Sequence, residues 1–229
     1  MSDIAKEMGI STVSVSKALS GKEGVSQEVR EQIKKKAEEM GYRYNSIAQN
    51  MKEGVSYNIG VVVPERFFAE NSFYSDLYQK VVKESGKQGY SCILEIISRE
   101  DEKQNKLPNM VTFSKVDGLI ILGQMKKKYI EKLLDVGMPY IFLDFYDEHN
   151  TVDSVVSDSV HGSYLLTNHL IKMGHTKIGF VGDIHATSSI LDRYVGYYKA
   201  MVQNRLEVRE EWVISDRNED GDYIKLGIE

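Results

Sequence analysis

The chain has 229 residues, of which 41% are hydrophobic and 28% charged, with three Pro and one Cys. That is enough to bury an ordinary core plus a smaller appendage, and it excludes wholesale disorder. The single cysteine, Cys92, excludes an intrachain disulfide framework and a Cys-rich zinc site. No apolar run approaches the length of a membrane span, and the N-terminus lacks the charged-then-apolar pattern of a signal segment, so a cytoplasmic setting is expected.

The net charge of −5 is unevenly spread. Residues 1–58 hold nine Lys/Arg against eight Asp/Glu, which leaves the acidity in the remainder. Such a balance permits nucleic-acid binding by the first segment without demanding it.

The first forty residues predict three short helices. Ser2 is placed to cap Asp3–Met8, with Gly9 as its stop. Ser11 caps Thr12–Leu19, which ends at Ser20-Gly21. Ser26 caps Gln27–Met40, with Val29, Ile33, Ala37 and Met40 on one face and Gly41 after it. Residues 42–58 lack a clear core pattern, although Asn45–Met51 suits one or two amphipathic turns. This is the expected boundary segment.

From Asn58 the pattern changes. Ile59–Val63 reads as a buried strand, followed by a helix Tyr74–Gln88, a strand Ser91–Ile97 and a helix near Glu100–Phe113. Next come strand Gly118–Leu122, helix Lys127–Val136, and strands Tyr140–Asp144 and Ser154–Ser157. Helix Val160–Met173, strand Lys177–Val181 and helix Asp192–Val202 complete the series. Such alternation predicts right-handed βαβ crossovers and a doubly wound parallel sheet, with ligands bound beyond the carboxyl ends of its strands. Cys92, inside a predicted strand, is expected to be buried and inert.

In the first segment Ala5, Gly9 and Val15 sit at the offsets a helix-turn-helix requires: a small residue at the crossing, a turn glycine and an apolar filler. The second helix would then present Thr12, Val13 and Lys17 to base edges in the major groove. Ser11, Ser14, Ser16 and Ser26 would be placed to donate to phosphates. Those three spaced residues would also suit a small structural cap of helices.

Longer stretches bear on that choice. Asp3-Ile4-Ala5-Lys6-Glu7, Gly9-Ile10-Ser11, Val15-Ser16-Lys17, Gly24-Val25-Ser26 and Gly41-Tyr42 together resemble the lac/galactose repressor (LacI/GalR) family of bacterial regulators. So do Ile59-Gly60-Val61-Val62-Val63-Pro64, Val116-Asp117-Gly118-Leu119-Ile120 and Val155-Val156-Ser157-Asp158. His169-Leu170-Ile171, Gly174-His175, Ile178, Arg193 and Gly196-Tyr197 continue the likeness, in order, to about residue 200.

The resemblance implies an all-α helix-turn-helix head at 1–44, a hinge helix and linker at 45–57, and an α/β core like the periplasmic sugar-binding proteins. That core would divide into a subdomain at 58–157 and the start of a second at 158–229. It also implies a dimeric regulator, a pseudo-palindromic double-stranded DNA operator and a small-molecule effector such as a sugar; the residues themselves lead one to expect no cofactor, metal or membrane partner. Thr12, Val13 and Lys17 match the family's base-reading positions. Asn45, Ala48 and Met51 match the hinge that wedges the minor groove, with Met51 at a leucine position and Tyr44 in place of a common proline. Arg193 matches an effector-binding arginine and Phe73 and Tyr74 an aromatic pair after the first strand, with Glu65 where an aspartate is usual; Asp144, at a strand end, and Asp158, after the apparent crossover between subdomains, are the further effector candidates. Turn or helix capping is the alternative for the two aspartates, and core packing for the aromatic pair. A ligand-binding protein with a non-functional head is the alternative function, and an α/β enzyme is a third.

Other motifs are set aside. Asp216-x-Asn218-x-Asp220-Gly221 copies the first half of a calcium loop, but Gly227 stands where a bidentate Glu should close it. Five dispersed histidines form no i, i+4 ligand pair, and neither a phosphate-cradling glycine loop nor a nucleophile elbow is present. Lys34-Lys35-Lys36 and Lys126-Lys127-Lys128 read as solvated faces. The resemblance also leads one to expect more chain than the 229 residues hold. A sheet without its returning strand would have an open edge and exposed apolar faces, and so a marginally stable core with weak effector binding.

Overall fold

In a computed structural model describing residues 1–42, 54–68, 72–147, 152–218 and 223–224, the chain falls into two units, Met1–Ser56 and Tyr57–Glu229. The first is built on helices α1 (Ser2–Met8), α2 (Thr12–Leu19) and α3 (Gln27–Glu39). Serines start two of them: Ser11 Oγ accepts from the Ser14 amide at 3.0 Å, and Ser26 Oγ from the Val29 amide at 3.4 Å. Each satisfies an amide that the first helical turn leaves without a partner. Ser2, expected as a cap, instead lies in the first turn of α1, and the Met1 carbonyl accepts the Ala5 amide. Gly9 ends α1 at φ 66°, a left-handed conformation that favours glycine.

The core of this unit is Ile4, Ala5, Val15, Ala18, Ile33 and Ala37. The buried face predicted for α3 therefore holds at Ile33 and Ala37. It fails at Met40, which follows the last helical residue and is 38% exposed. Arg30 supplies a contact not foreseen: its guanidinium donates to the carbonyls of Lys17, Ala18 and Lys22 at 3.3, 3.2 and 2.7 Å. A cation at the end of α2 answers carbonyls that the helix cannot bond internally.

The second unit opens with five parallel strands, β1 (Asn58–Pro64), β2 (Ser91–Ile97), β3 (Gly118–Leu122), β4 (Tyr140–Leu143) and β5 (Ser154–Val155), in the order β2-β1-β3-β4-β5. Helices α4 (Glu65–Phe68), α5 (Ser72–Lys87), α6 (Arg99–Lys103), α7 (Asn109–Thr112) and α8 (Lys127–Leu134) connect them. Both faces are apolar because successive side chains point to opposite sides of a strand. Val62, Leu119, Ile121 and Phe142 join Met110, Tyr129, Ile130 and Leu133 in one cluster. Val61, Val63 and Leu122 join Phe67 in another. Gly60 is required by space: a Cβ there would stand 2.4 Å from Met110 Sδ.

The helix expected near Glu100–Phe113 is two short helices. Asn105 adopts φ 54°, and Pro108, which has no amide to give, stands in extended conformation before α7. Glu95 accepts the amides of Asn109 and Met110 at 2.6 and 3.0 Å, so the new helix start is bonded. Cys92, expected to be buried, is half-buried in edge strand β2. The other edge is the two-residue β5, whose Val155 is exposed.

The chain continues through α9 (Ser159–Lys172), β6 (Phe180–Val181), α10 (Ser188–Gln203), a 3-10 turn (Glu210–Trp212) and β7 (Val213–Ile214). β6 and β7 pair in parallel as a separate two-stranded sheet. α10 starts four residues before its expected position because Thr187 Oγ1 caps it, accepting from the Ile190 amide at 3.2 Å. α9 and α10 approach closely at Gly196, where a Cβ would stand 2.2 Å from the Val160 carbonyl oxygen. Buried Ile178, Tyr197 and Met201 form the core here, while Leu165, Leu166, Met173 and Val202 remain exposed.

Candidate nucleic-acid interface and ligand cavity

On α2 the helical period separates inward from outward residues. Val15 and Ala18 are fully buried, whereas Thr12, Val13 and Lys17 are exposed and Ser16 is half-buried. Val13 is 62% exposed, which is costly for an isolated helix and suits apolar contact with a base methyl group. Ser11 and Ser26 use their oxygens as caps. The hydroxyl hydrogen of Ser26 is not used by that bond, so capping and donation to a phosphate are compatible there. Ser11 Oγ also lies 2.9 Å from Ser14 Oγ. Asn45, Ala48 and Met51 lie outside the described residues.

In the second unit Phe73, Tyr74, Asp144 and Arg193 line one cavity of about 410 Å³, together with Phe67, Phe180, Ile190 and Arg217. Its walls follow from the sheet. Phe67 lies just beyond the carboxyl end of β1, Asp144 directly after β4, and Arg193 on α10. Asp144 turns out of its strand at φ 69°. Tyr74 donates to Asp144 Oδ2 at 2.9 Å and stacks on Phe67 at a centroid distance of 5.1 Å. Phe73 meets Tyr74 edge-on at 5.1 Å and is 44% exposed, so it is not simple core packing. A Cβ on Gly123, at φ 78°, would stand 2.8 Å from the Phe67 ring.

Burial raises the Asp144 carboxyl above its ordinary range, against the opposing effects of the Tyr74 hydrogen bond and the Arg193 charge. Burial and then the adjacent Asp144 carboxylate push the Tyr74 hydroxyl upward, so it remains a donor. The result is an aromatic wall, a buried carboxyl acceptor and a guanidinium on the opposite side. Such a combination suits a ligand presenting an apolar ring face and several hydroxyls. Asp158 is not in this cavity: it is exposed and caps α9, its Oδ1 accepting the His161 amide at 2.9 Å.

Arg217 and Tyr223 also line the cavity, and sequence reasoning missed both. Arg217 Nη2 donates to Tyr223 Oη at 3.1 Å, with its guanidinium 4.6 Å from the Tyr223 ring centroid. Arg217 lies in the stretch that resembles half a calcium loop and Tyr223 two residues beyond it, and no cluster of metal-ligating side chains occurs among the described residues. No described helix is long and apolar enough to cross a membrane.

Three bonds join the sides of this unit near the cavity mouth. Gln124 Oε1 accepts from the Ser188 amide at 2.8 Å, Tyr146 Oη donates to Asp192 Oδ1 at 2.8 Å, and Ser188 Oγ accepts from the Tyr146 amide at 3.4 Å.

Residues 1–45 match the model of bacterial regulatory proteins of the lacI family, and residues 56–225 match that of periplasmic binding proteins and the sugar-binding domain of the LacI family. The HTH-type transcriptional repressor PurR of Vibrio campbellii is 28% identical over 214 residues, covering 93% of this chain and 63% of that protein. PurR of Haemophilus influenzae is 29% identical over 226 residues, covering 96% and 65%. The chain thus spans a little under two thirds of these relatives. Among solved structures, the lac repressor dimer bound to operator and the anti-inducer ONPF superposes with a TM-score of 0.77 at 21% identity, covering 94% of this chain and 64% of that one.

Proposed function

The chain belongs to the LacI family of bacterial regulatory proteins, and from that premise we propose that it is a sequence-specific, effector-controlled transcriptional repressor. The observation that carries this reading is the sorting of α2, which buries Val15 and Ala18 and turns Thr12, Val13 and Lys17 outward. In this reading residues 1–44 bind DNA, 45–57 form the hinge, and 58–157 and 158–229 contribute the two sides of an effector site. Thr12, Val13 and Lys17 read base edges, and Ser11, Ser16 and Ser26 contact phosphates. Asn45, Ala48 and Met51 engage the minor groove.

The effector is a sugar-like small molecule held by Phe73, Tyr74, Asp144 and Arg193. Two copies of the chain bind a pseudo-palindrome in the cytoplasm, one head per half-site. Effector binding changes how the two sides of the cavity close and thereby biases the spacing of the heads. Asp158 acts only through its cap on α9.

Selection from a random duplex library tests the reading. The chain should enrich a pseudo-palindrome, and Lys17→Ala or Val13→Ser should change the preferred half-site. A library that emerges without any enriched sequence would refute it. A chain that binds sugars yet enriches no DNA would favour a ligand-binding protein with a non-functional head.

A further inference from the structure

A second cavity, of about 550 Å³, adjoins the first and shares Phe67 and Arg217 with it. Its wall carries the cations of Arg66, Arg99, Lys103, Lys126 and Arg217 against only three carboxylates. One of these, Glu102, is already committed: its side chain is 2% exposed, accepts from Arg66 at 2.5 Å, and takes the Lys126 amide at 2.7 Å. Glu100 accepts from Gln104 at 2.6 Å. Asp183 Oδ1 accepts the His185 amide at 2.9 Å. Pairing of Arg66 with Glu102 leaves Arg99, Lys103, Lys126 and Arg217 against Glu100 and Asp183, so the hollow keeps an excess of positive charge in a chain whose net charge is −5.

Arg217 stands where the two cavities meet. Its side chain is 7% exposed, and Nε, shut off from solvent, has no hydrogen-bond partner among the described residues. Asp216 Oδ1 lies 3.6 Å from that nitrogen and accepts the Asp183 amide at 2.9 Å. Asp216 offsets part of the charge at Nε, while the side chain as a whole lines both cavities. A planar fork of donors suits a phosphate or carboxylate, which can accept at two oxygens.

We propose that the effector is a sugar phosphate, with its sugar in the aromatic cavity and its phosphate in the adjoining cationic one, seated by Arg217 with Arg99, Lys103 and Lys126. This inference rests on the effector reading of the aromatic cavity and adds the ligand's charge. Free energy from the phosphate contacts would then decide between an ester and its parent sugar, since both offer the same ring.

Calorimetric titration of the 229-residue chain tests this with several hexoses, the matching hexose 6-phosphates and inorganic phosphate. At least one phosphate ester should bind tenfold or more tightly than its parent sugar. The preference should shrink with added salt and fall several-fold in Arg217→Gln and in Lys103→Gln. A melting curve of each variant separates lost folding from lost binding, and Lys103, at the surface, keeps the test informative if Arg217→Gln unfolds. Equal affinity for an ester and its parent would overturn the phosphate subsite while leaving the sugar cavity standing. Failure of every sugar and ester to bind would overturn both. Inorganic phosphate bound by the chain and lost in Arg217→Gln would support the cationic seat, and phosphate affinity unchanged by either variant would contradict it.

Discussion

The two sides of the ligand cavity are built to different depths. Beneath Phe67, Tyr74 and Asp144 lies a five-stranded sheet packed on both faces, with thirteen buried residues in its larger cluster. Beneath Ile190, Arg193 and Arg217 lies a two-stranded sheet whose cluster has three, Ile178, Tyr197 and Met201. One wall is therefore stiff and the other yielding, because resistance to local opening follows buried apolar contact. A ligand held across them spends little on ordering the first wall and orders the second. Hydrogen exchange should be slowest in β1, β3 and β4 and faster throughout α9 and α10.

The substitution with the largest expected effect is Phe142→Ala. Phe142 is fully buried and stacks on Phe145 at 4.4 Å, so its loss should cost about 4 kcal/mol in denaturant unfolding. Because Phe142 lies in the cluster beneath the five-stranded sheet alone, exchange should accelerate most in β1, β3 and β4. Faster exchange confined to α9 and α10 would break the comparison.

Gly196→Val should act more locally. With no room for a Cβ against the Val160 carbonyl, α9 and α10 must separate, at about 3 kcal/mol. Exchange should rise across 159–203 and stay unchanged in β1 and β3. A uniform rise would show that the two sides unfold as one.

Tyr197→Phe is smaller and sharper. It removes the 2.7 Å bond to the Ile178 carbonyl and leaves that oxygen unpaired, which should cost about 1–2 kcal/mol by thermal unfolding. No change in melting would mean that the yielding side draws little from its own core.

The smallest effect is electrostatic. Burial raises the folded-state pKa of Asp144, so protonation favours the folded chain. Stability from this group should be fully present below the unfolded carboxyl pKa and be lost as pH rises through the raised folded value. Asp144→Asn, tolerated at φ 69° and still able to accept from Tyr74, should flatten that part of the pH–stability curve and stabilise the chain at neutral pH. A curve unchanged by the substitution would show that Asp144 is effectively solvated.

Local chemistry explains which features were legible beforehand. β3 was read to the residue because a strand buried in a parallel sheet leaves an unbroken apolar run, and the edge strand β2 because its β-branched and apolar residues are interrupted only by Glu95. Ser11 and Ser26 announced two helix starts, whereas the fold alone brings Phe73, Tyr74, Asp144 and Arg193, spread over 120 residues of chain, to one cavity and leaves Asp158 outside it. Pro108, with no amide to give, divides the stretch expected as one helix into two. Arg30, Glu102 and Arg217 were not legible. Each is an ordinary surface-type residue whose role depends on which carbonyl, guanidinium or cavity the fold brings beside it.

The central claim is that this chain reads DNA sequence. Its most direct test is fluorescence anisotropy on the duplex enriched by selection, against a scrambled duplex, across a salt series. The account predicts a Kd on the enriched duplex at least a hundredfold lower than on scrambled DNA, with a steep loss of affinity as salt rises. Equal, weak binding to both duplexes at every salt concentration would contradict it.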